Sequence, residues 1–213
     1  MQQFEGQYYI LPGMKNTLYV LLFLLVLYAW LDWEGRDIVH APGVLVPETP
    51  RQTVAAGPPF RLDEFLITPR AGFSIRARVL SRENYYLGEE ADLAPVDLAL
   101  GWGVMSDQAV LDRIEISQGS RWYFTRYEYP APLPDQAIIQ NSGNMHVIPA
   151  NDWVRDKLDD IRAGDIVQAR GSLVDVDQDS GFFWRTSLTR NDTGNGSCEI
   201  FYVEQLHIEP RDS

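Results

Sequence analysis

Side chains suited to chemistry are few in this chain, and most of them fall in two polar stretches. The stretch "QNSGNMHVIPAND" (140–152) holds His146, with Asn144 close enough in sequence to orient its imidazole. Histidine is the side chain best suited to proton transfer near neutral pH. The stretch "TRNDTGNGSCEI" (189–200) holds Asp192 and the single cysteine, Cys198. These four residues are the candidate catalytic set, and the chemistry they favour is hydrolysis.

Each candidate also has a structural explanation. His146 stands between apolar residues that would pack inward, and its imidazole would then bond a backbone carbonyl. The stretch "NDTGNG" (191–196) supplies the residue types that a hairpin loop requires. Cys198 then begins a predicted strand, where a small and weakly polar thiol packs well. A catalytic thiol needs a nearby cation or base to lower its pKa, and His146 is the residue that would supply it.

Metal and cofactor sites are not predicted. Three histidines and one cysteine show no zinc-ligand spacing. The first, third and fifth positions of a possible calcium loop are Asp175, Asp177 and Asp179. The sixth position, however, is Ser180 instead of glycine, and the twelfth is Thr186 instead of glutamate. A tight turn explains these aspartates as well. The sequence contains no phosphate-cradling or dinucleotide motif, so we expect no cofactor.

The charge of the chain argues against a nucleic-acid partner. Lysine and arginine number 18 against 30 acidic residues, which gives a formal net charge of −12. Binding to a phosphate backbone needs clustered cations. The single cysteine excludes an internal disulfide, so the cysteine count does not identify the redox compartment.

Two aromatic triplets are candidates for partner binding. The triplets "WYF" (122–124) and "FFW" (182–184) lie in predicted strands. Because side chains alternate between the two faces of a strand, at least one ring of each triplet must point outward. The candidate binding residues are Trp122, Phe124, Phe183 and Trp184.

The N-terminal region predicts a membrane anchor. Residues 17–31 are uncharged and rich in leucine, valine and aromatics. With their flanks they predict a transmembrane signal anchor over 14–33, after a short tail over 1–13, with membrane contact through 17–33. Lys15 precedes the run and acidic residues follow it, so the C-terminal part is expected outside the cytoplasm at the cell inner membrane. A cleaved signal peptide and a soluble helix are the alternatives. Met14-Lys15 also resembles a natural start, so Met1 and Met14 are both candidate translation starts.

The rest of the chain predicts a linker and one β-rich domain. Prolines and glycines over 34–59 are typical of a tether, and residues 60–213 form the domain. Alternating patterns predict six strands, over 72–81, 110–117, 121–129, 165–176, 182–189 and 198–209. Asn151 and Gly164 bound a predicted helix over 151–164, with Trp153 on its apolar face. The long stretch 82–109 is expected to be an ordered loop with a helical turn.

A mainly β fold follows, a small curled antiparallel sheet of about six strands with one helix. The strand "GDIVQARGSLV" (164–174), which follows the helix, resembles the corresponding strand of OB-type barrels. That resemblance implies an OB-like barrel and says nothing about the ligand. We therefore expect an extracytoplasmic interaction domain that binds a partner in the cell envelope. The alternative is a membrane-anchored hydrolase that uses His146.

Overall fold

The computed structural model describes residues 12–34, 36–54, 57–189 and 198–211, with only the backbone described for 12–15 and 29–34. It divides into two compact units, residues 1–36 and 37–213. The first unit contains one helix, α1, over Pro12–Glu34. The second unit holds every strand of the described chain and every other helix.

The membrane prediction is wrong. Among the described residues, no helix is both long enough and apolar enough to span a membrane. The transmembrane anchor over 14–33 and the inner-membrane localisation drawn from it are therefore not supported.

The second unit contains ten strands and four short α-helices among its described residues. The strands are β1 Arg51–Val54, β2 Phe60–Leu62, β3 Phe65–Asn84, β4 Val96–Gly101, β5 Glu115–Gly119, β6 Trp122–Arg126, β7 Ser142–Pro149, β8 Ile166–Gln178, β9 Phe183–Trp184 and β10 Glu199–Ile208. The helices are α2 Glu89–Leu93, α3 Gln108–Leu111, α4 Asp135–Gln140 and α5 Asp152–Asp159, and a 3₁₀ turn covers Gly103–Ser106.

Eight of these strands form one mixed sheet that closes on itself. β3 pairs with β4, β4 with β7, β7 with β10, β10 with β8, and β8 returns to β3. The β7 to β10 pairing is parallel and the others are antiparallel. β1 and β2 pair with β3, and β9 pairs with β8. The predicted fold class is therefore wrong in its strand number, in its purely antiparallel pairing and in its single helix.

The main core lies inside this ring of five strands. Every ring strand sends alternate apolar side chains into one buried cluster, for example Phe73 from β3, Leu98 from β4 and Phe201 from β10. Val154 and Leu158 of α5 join the same cluster and close one end of the ring. Burial of these side chains supplies the main driving force for folding. The side chains that point out of the ring form the surfaces on which the candidate sites lie.

The hairpin of β5 and β6 is a separate two-stranded sheet. Apolar contacts hold its base, since Ile116 packs with Met105, Ile114 and Ile138. Its tip instead meets the outer face of the ring through polar side chains. Tyr123 places its hydroxyl 2.6 Å from the Ser142 hydroxyl on β7.

The segment predicted to be a proline-rich linker, 34–59, is bound to the domain between residues 38 and 54. The amide of Ile38 donates to the Ala163 carbonyl at 2.8 Å, and Ser106 accepts from the amide of Val46 at 3.0 Å. Val46 is fully buried in the core, and β1 adds to the edge of β3. Proline and glycine removed the periodic pattern from this segment, but they did not prevent it from packing.

Helix α5 begins where its capping signal predicted. The Asn151 side chain accepts a hydrogen bond from the amide of Val154 at 3.0 Å, which is the expected N-cap contact. Val154 and Leu158 are buried, but Trp153, which was predicted to lie on the apolar face, is 54% exposed. The helix therefore presents a large aromatic ring to solvent.

Candidate functional site

His146, the leading catalytic candidate, lies in the middle of β7 on the outer face of the ring. It stands opposite Asp97 of β4, and its Nδ1 is 2.9 Å from Oδ1 of that carboxylate. The contact lacks the alignment of a hydrogen bond. The His146 side chain is only 4% exposed, and the ring of Trp184 lies 4.6 Å from the imidazole ring. The imidazole therefore lies against a carboxylate and is largely shielded from solvent.

Arg121, at the tip of the hairpin, binds the same carboxylate. Its guanidinium lies 2.7 Å from Oδ1 of Asp97 and donates to the Ala94 carbonyl at 2.8 Å. The guanidinium also lies 3.8 Å above the ring of Tyr85. Because Asp97 is fully buried, its negative charge needs a partner, and the adjacent guanidinium of Arg121 stabilises it.

The backbone of this hairpin tip is unusual for its sequence. Ser120 and Arg121 have φ angles of 52° and 68°, in the left-handed region that two-residue hairpin turns require. Asparagine and glycine normally occupy these positions, because a side chain with a Cβ is strained there. The contacts of Arg121 with Asp97 offset that strain.

The structure brings two further candidates to this place. Asn144 donates to the Arg121 carbonyl at 3.2 Å and accepts from Gln118 at 2.7 Å. Cys198, which precedes β10, places its thiol 3.9 Å from the same Arg121 carbonyl. Asp192 lies outside the described residues. The sequence candidates His146, Asn144 and Cys198 thus meet around the hairpin tip, where each of them contacts groups that hold the hairpin on the sheet.

The aromatic candidates do not form one surface. Phe124 of β6 is 54% exposed and Phe183 of β9 is 66% exposed, whereas Trp122 and Trp184 are half-buried. Trp184 is engaged by His146 and by the ring of Phe182. These residues therefore divide between two separate strands, and two of the four have their rings partly covered.

The three aspartates of the possible calcium loop are each paired with an arginine. Arg70 binds Asp175 at 2.5 Å, Arg185 binds Asp177 at 2.5 Å, and Arg61 lies 3.7 Å from Asp179. Nowhere in the described chain do three or more acidic, histidine or cysteine side chains gather in a way that could hold a metal ion.

A second site, which the sequence did not predict, is an open groove of about 700 Å³ on the outer face of the ring. Two rows of polar side chains run across neighbouring strands there, because residues paired across strands point to the same side of a sheet. The first row is Arg51, Ser74, Arg170 and Gln205, and the second is Arg76, Gln168 and His207. Trp153 of α5 lines the same groove.

The arginines of the groove differ in their partners. Arg76 donates two hydrogen bonds to Glu209, at 2.7 and 2.9 Å, and lies 3.5 Å from Glu48. The hydrogen bonds lower the pKa of Glu209 below its ordinary value and raise the pKa of Arg76. Arg51 and Arg170 are exposed and form neither an ion pair nor a side-chain hydrogen bond with any described residue.

Unpaired arginines are rare in this chain. Of the arginines that the structure describes, Arg51, Arg155 and Arg170 share this lack of a side-chain partner, and two of the three line the groove. Their Cα atoms are two strand spacings apart, about 10 Å. In a chain with a net charge of −12, acidic side chains are plentiful, yet no acidic residue that the structure describes forms an ion pair with either cation.

Sequence reasoning missed the groove because its residues come from distant segments. Arg51 fell in the presumed linker, and pairing with β3 is what places it beside Arg170. The one available signal was alternation in "SIRAR" (74–78) and "VQARG" (167–171), which put arginine and glutamine on the solvent face of two strands. That signal alone does not show that the two strands are neighbours.

Comparisons of the chain with protein-family models, with curated proteins and with solved structures each find no match.

Proposed function

We propose that this protein is a binding domain whose groove accepts an acidic segment of a partner protein. The observation that carries the proposal is the pair of unpaired arginines, Arg51 and Arg170, on one open face. Guanidinium groups bind carboxylates through two parallel hydrogen bonds, which makes arginine the preferred cation for such recognition.

The shape of the groove supports an extended ligand. It is open to solvent and crosses several strands, and its polar lining includes Ser74, Gln168 and Gln205, which can bond a peptide backbone. An acidic peptide is favoured over a nucleic acid because the net charge of −12 repels a dense polyanion. A short segment with two carboxylates matches the two free cations and carries less repulsion.

The test is binding of the fluorescent peptide GEGGGEG, which carries two glutamates, to the full chain at low salt, measured by anisotropy. Replacement of Arg51 and Arg170 by glutamine should weaken binding by roughly 5-fold for each arginine, since an exposed ion pair contributes up to about 1 kcal/mol. Arg155→Gln is the matched control, because Arg155 is also unpaired but does not line the groove. Affinity should also fall as salt increases.

Two results would refute the proposal. The first is equal binding of the glutamate peptide to the wild type and to the double variant Arg51→Gln/Arg170→Gln. The second is tighter binding of a single-stranded oligonucleotide of the same charge, which would show that the groove selects phosphates.

A hydrolase that uses His146 is the second candidate, favoured by the 2.9 Å contact of His146 with Asp97 and by the nearby thiol of Cys198. Its test is hydrolysis of p-nitrophenyl acetate by the wild type, by His146→Ala and by Cys198→Ser, with Tyr129→Phe as a surface control. If His146→Ala hydrolyses the ester at the rate of the wild type, this candidate is refuted.

A further inference from the structure

The most exposed tryptophan whose side chain is described lies in the groove. Trp153 is 54% exposed, whereas Trp102 is 1% exposed and Trp122 and Trp184 are half-buried. Its neighbour Val154 is completely buried, so helix α5 already has its packing face without Trp153. A large exposed ring that the core does not use is the kind of residue that interfaces use as an anchor.

Trp153 shares the groove with two cations. It lines the same groove as Arg51 and Arg170, although it comes from helix α5 and they come from strands β1 and β8. The structure therefore combines two free guanidinium groups with one exposed aromatic ring in a single open groove. Carboxylates would satisfy the guanidinium groups but would gain little from the indole face.

We propose that the ligand of the groove is an acidic linear segment that also carries an aromatic side chain, which packs on Trp153. This inference rests on the proposed binding function and specifies the class of partner. An aromatic ring on the indole would bury apolar surface and form an offset or edge-to-face contact. The arginines then select acidic segments, and Trp153 favours those acidic segments that carry an aromatic side chain.

The inference predicts a preference between two peptides of equal charge. The peptides are GEFGFEG and GEGGGEG, both blocked at their ends and labelled for anisotropy. The full chain should bind the phenylalanine peptide about tenfold more tightly, because a single buried aromatic contact commonly contributes this factor. In Trp153→Ala this preference should disappear, while the affinity for the glycine peptide stays unchanged.

Phe124→Ala supplies a matched control. Phe124 has the same exposed fraction as Trp153, 54%, but does not line the groove. This variant should retain the full preference for the phenylalanine peptide. Thermal melting of both variants would show that each remains folded, as expected for side chains that are half exposed.

The possible outcomes separate the two proposals. If both peptides bind equally and both need Arg51 and Arg170, the aromatic ligand is refuted and the acidic-ligand function stands. If neither peptide binds, both proposals fail. If the preference survives in Trp153→Ala, or is lost in Phe124→Ala, the ring of Trp153 is not the contact and the inference is refuted. Self-association of the chain, detected by ultracentrifugation and abolished by Trp153→Ala, would refute it in favour of a second copy as occupant.

Discussion

The contact between Arg121 and Asp97 should be the most costly polar interaction to break in the described domain. Asp97 is completely buried, and the Arg121 side chain is only 13% exposed. Replacement of Arg121 by alanine leaves the Asp97 carboxylate buried without its cation, which typically costs about 3–5 kcal/mol of folding free energy. The Ala94 carbonyl loses a donor in the same variant.

The left-handed backbone at Arg121 allows a sharper version of this prediction. Alanine keeps the Cβ and hence the strain of a φ of 68°, whereas glycine removes strain of about 1–2 kcal/mol. Part of that gain is offset by the greater freedom of glycine in the unfolded chain, about 0.4–1 kcal/mol. Arg121→Gly should therefore be destabilised by somewhat less than Arg121→Ala, although both lose the same ion pair.

Urea unfolding of the full chain at pH 7, followed by tryptophan fluorescence, measures the free energy of unfolding of the wild type, of Arg121→Ala and of Arg121→Gly. Arg126→Ala is the control, because Arg126 pairs with Glu115 at 3.8 Å on an exposed surface and should cost less than about 1 kcal/mol. The double variant Asp97→Asn/Arg121→Gln should cost less than the sum of its single variants, since it leaves no unpaired charge. A cost for Arg121→Ala no larger than that for Arg126→Ala would refute the reasoning.

Three further predictions concern other contacts. Gly171→Ala should destabilise the domain strongly or prevent folding, because a Cβ there would lie 1.9 Å from the Tyr202 carbonyl oxygen. Thermal melting followed by circular dichroism tests this, with Gly119→Ala as the control, because nothing lies within 4 Å of a Cβ at that position. Arg76 lowers the pKa of Glu209 in the folded state, so the stabilisation from this pair is present above the unfolded pKa and is lost as pH falls through the folded pKa. The loss of stability in Glu209→Gln relative to the wild type should therefore be smaller at pH 2 than at pH 7, and an equal loss at both pH values would contradict this. Tyr123→Phe should lower the free energy of unfolding, measured in urea, by about 1 kcal/mol. It removes only the contact with the Ser142 hydroxyl, which still donates to the Ile138 carbonyl. An unchanged free energy of unfolding would show that the contact does not stabilise the domain.

Local signals in the sequence predicted several elements correctly. Alternation over 165–176 and 198–209 predicted strands close to the observed β8 and β10, and Asn151 marked the start of α5. These signals worked because a half-buried strand and a capped helix impose their pattern within a few residues. They needed no knowledge of which strands become neighbours.

β7 was missed because Ser, Gly, Asn and Pro make up half of its eight residues, although Asn144 to Val147 alternate between polar and apolar. Its residues face the core on one side and the hairpin on the other, so seven of the eight are buried. Polar residues such as Asn144 and His146 are buried there because the hairpin supplies their partners. From sequence alone such a segment is indistinguishable from a polar loop, and the long stretch 82–109 hid β4 for a similar reason, since Pro95 and two glycines flank that strand.

The candidate sites were the least predictable feature because they depend on strand order. His146 and Asp97 are 49 residues apart and meet only through the pairing of β4 with β7. Arg51 and Arg170 are separated by 119 residues and meet through β3, which pairs with both of their strands. No local pattern encodes these juxtapositions.

Net charge and local charge act differently on the proposed ligand. At distances beyond about 8 Å at physiological salt, the excess of acidic residues is largely screened, so it opposes the approach of an acidic peptide only weakly. At contact, the two guanidinium groups interact with carboxylates at short range, where screening is least effective. Weak long-range repulsion combined with short-range attraction penalises highly charged polyanions more than a peptide with two well-placed acids. A groove of this kind on an acidic protein therefore favours a short acidic motif, and the exposed ring of Trp153 provides the additional contact that such a motif needs for selectivity.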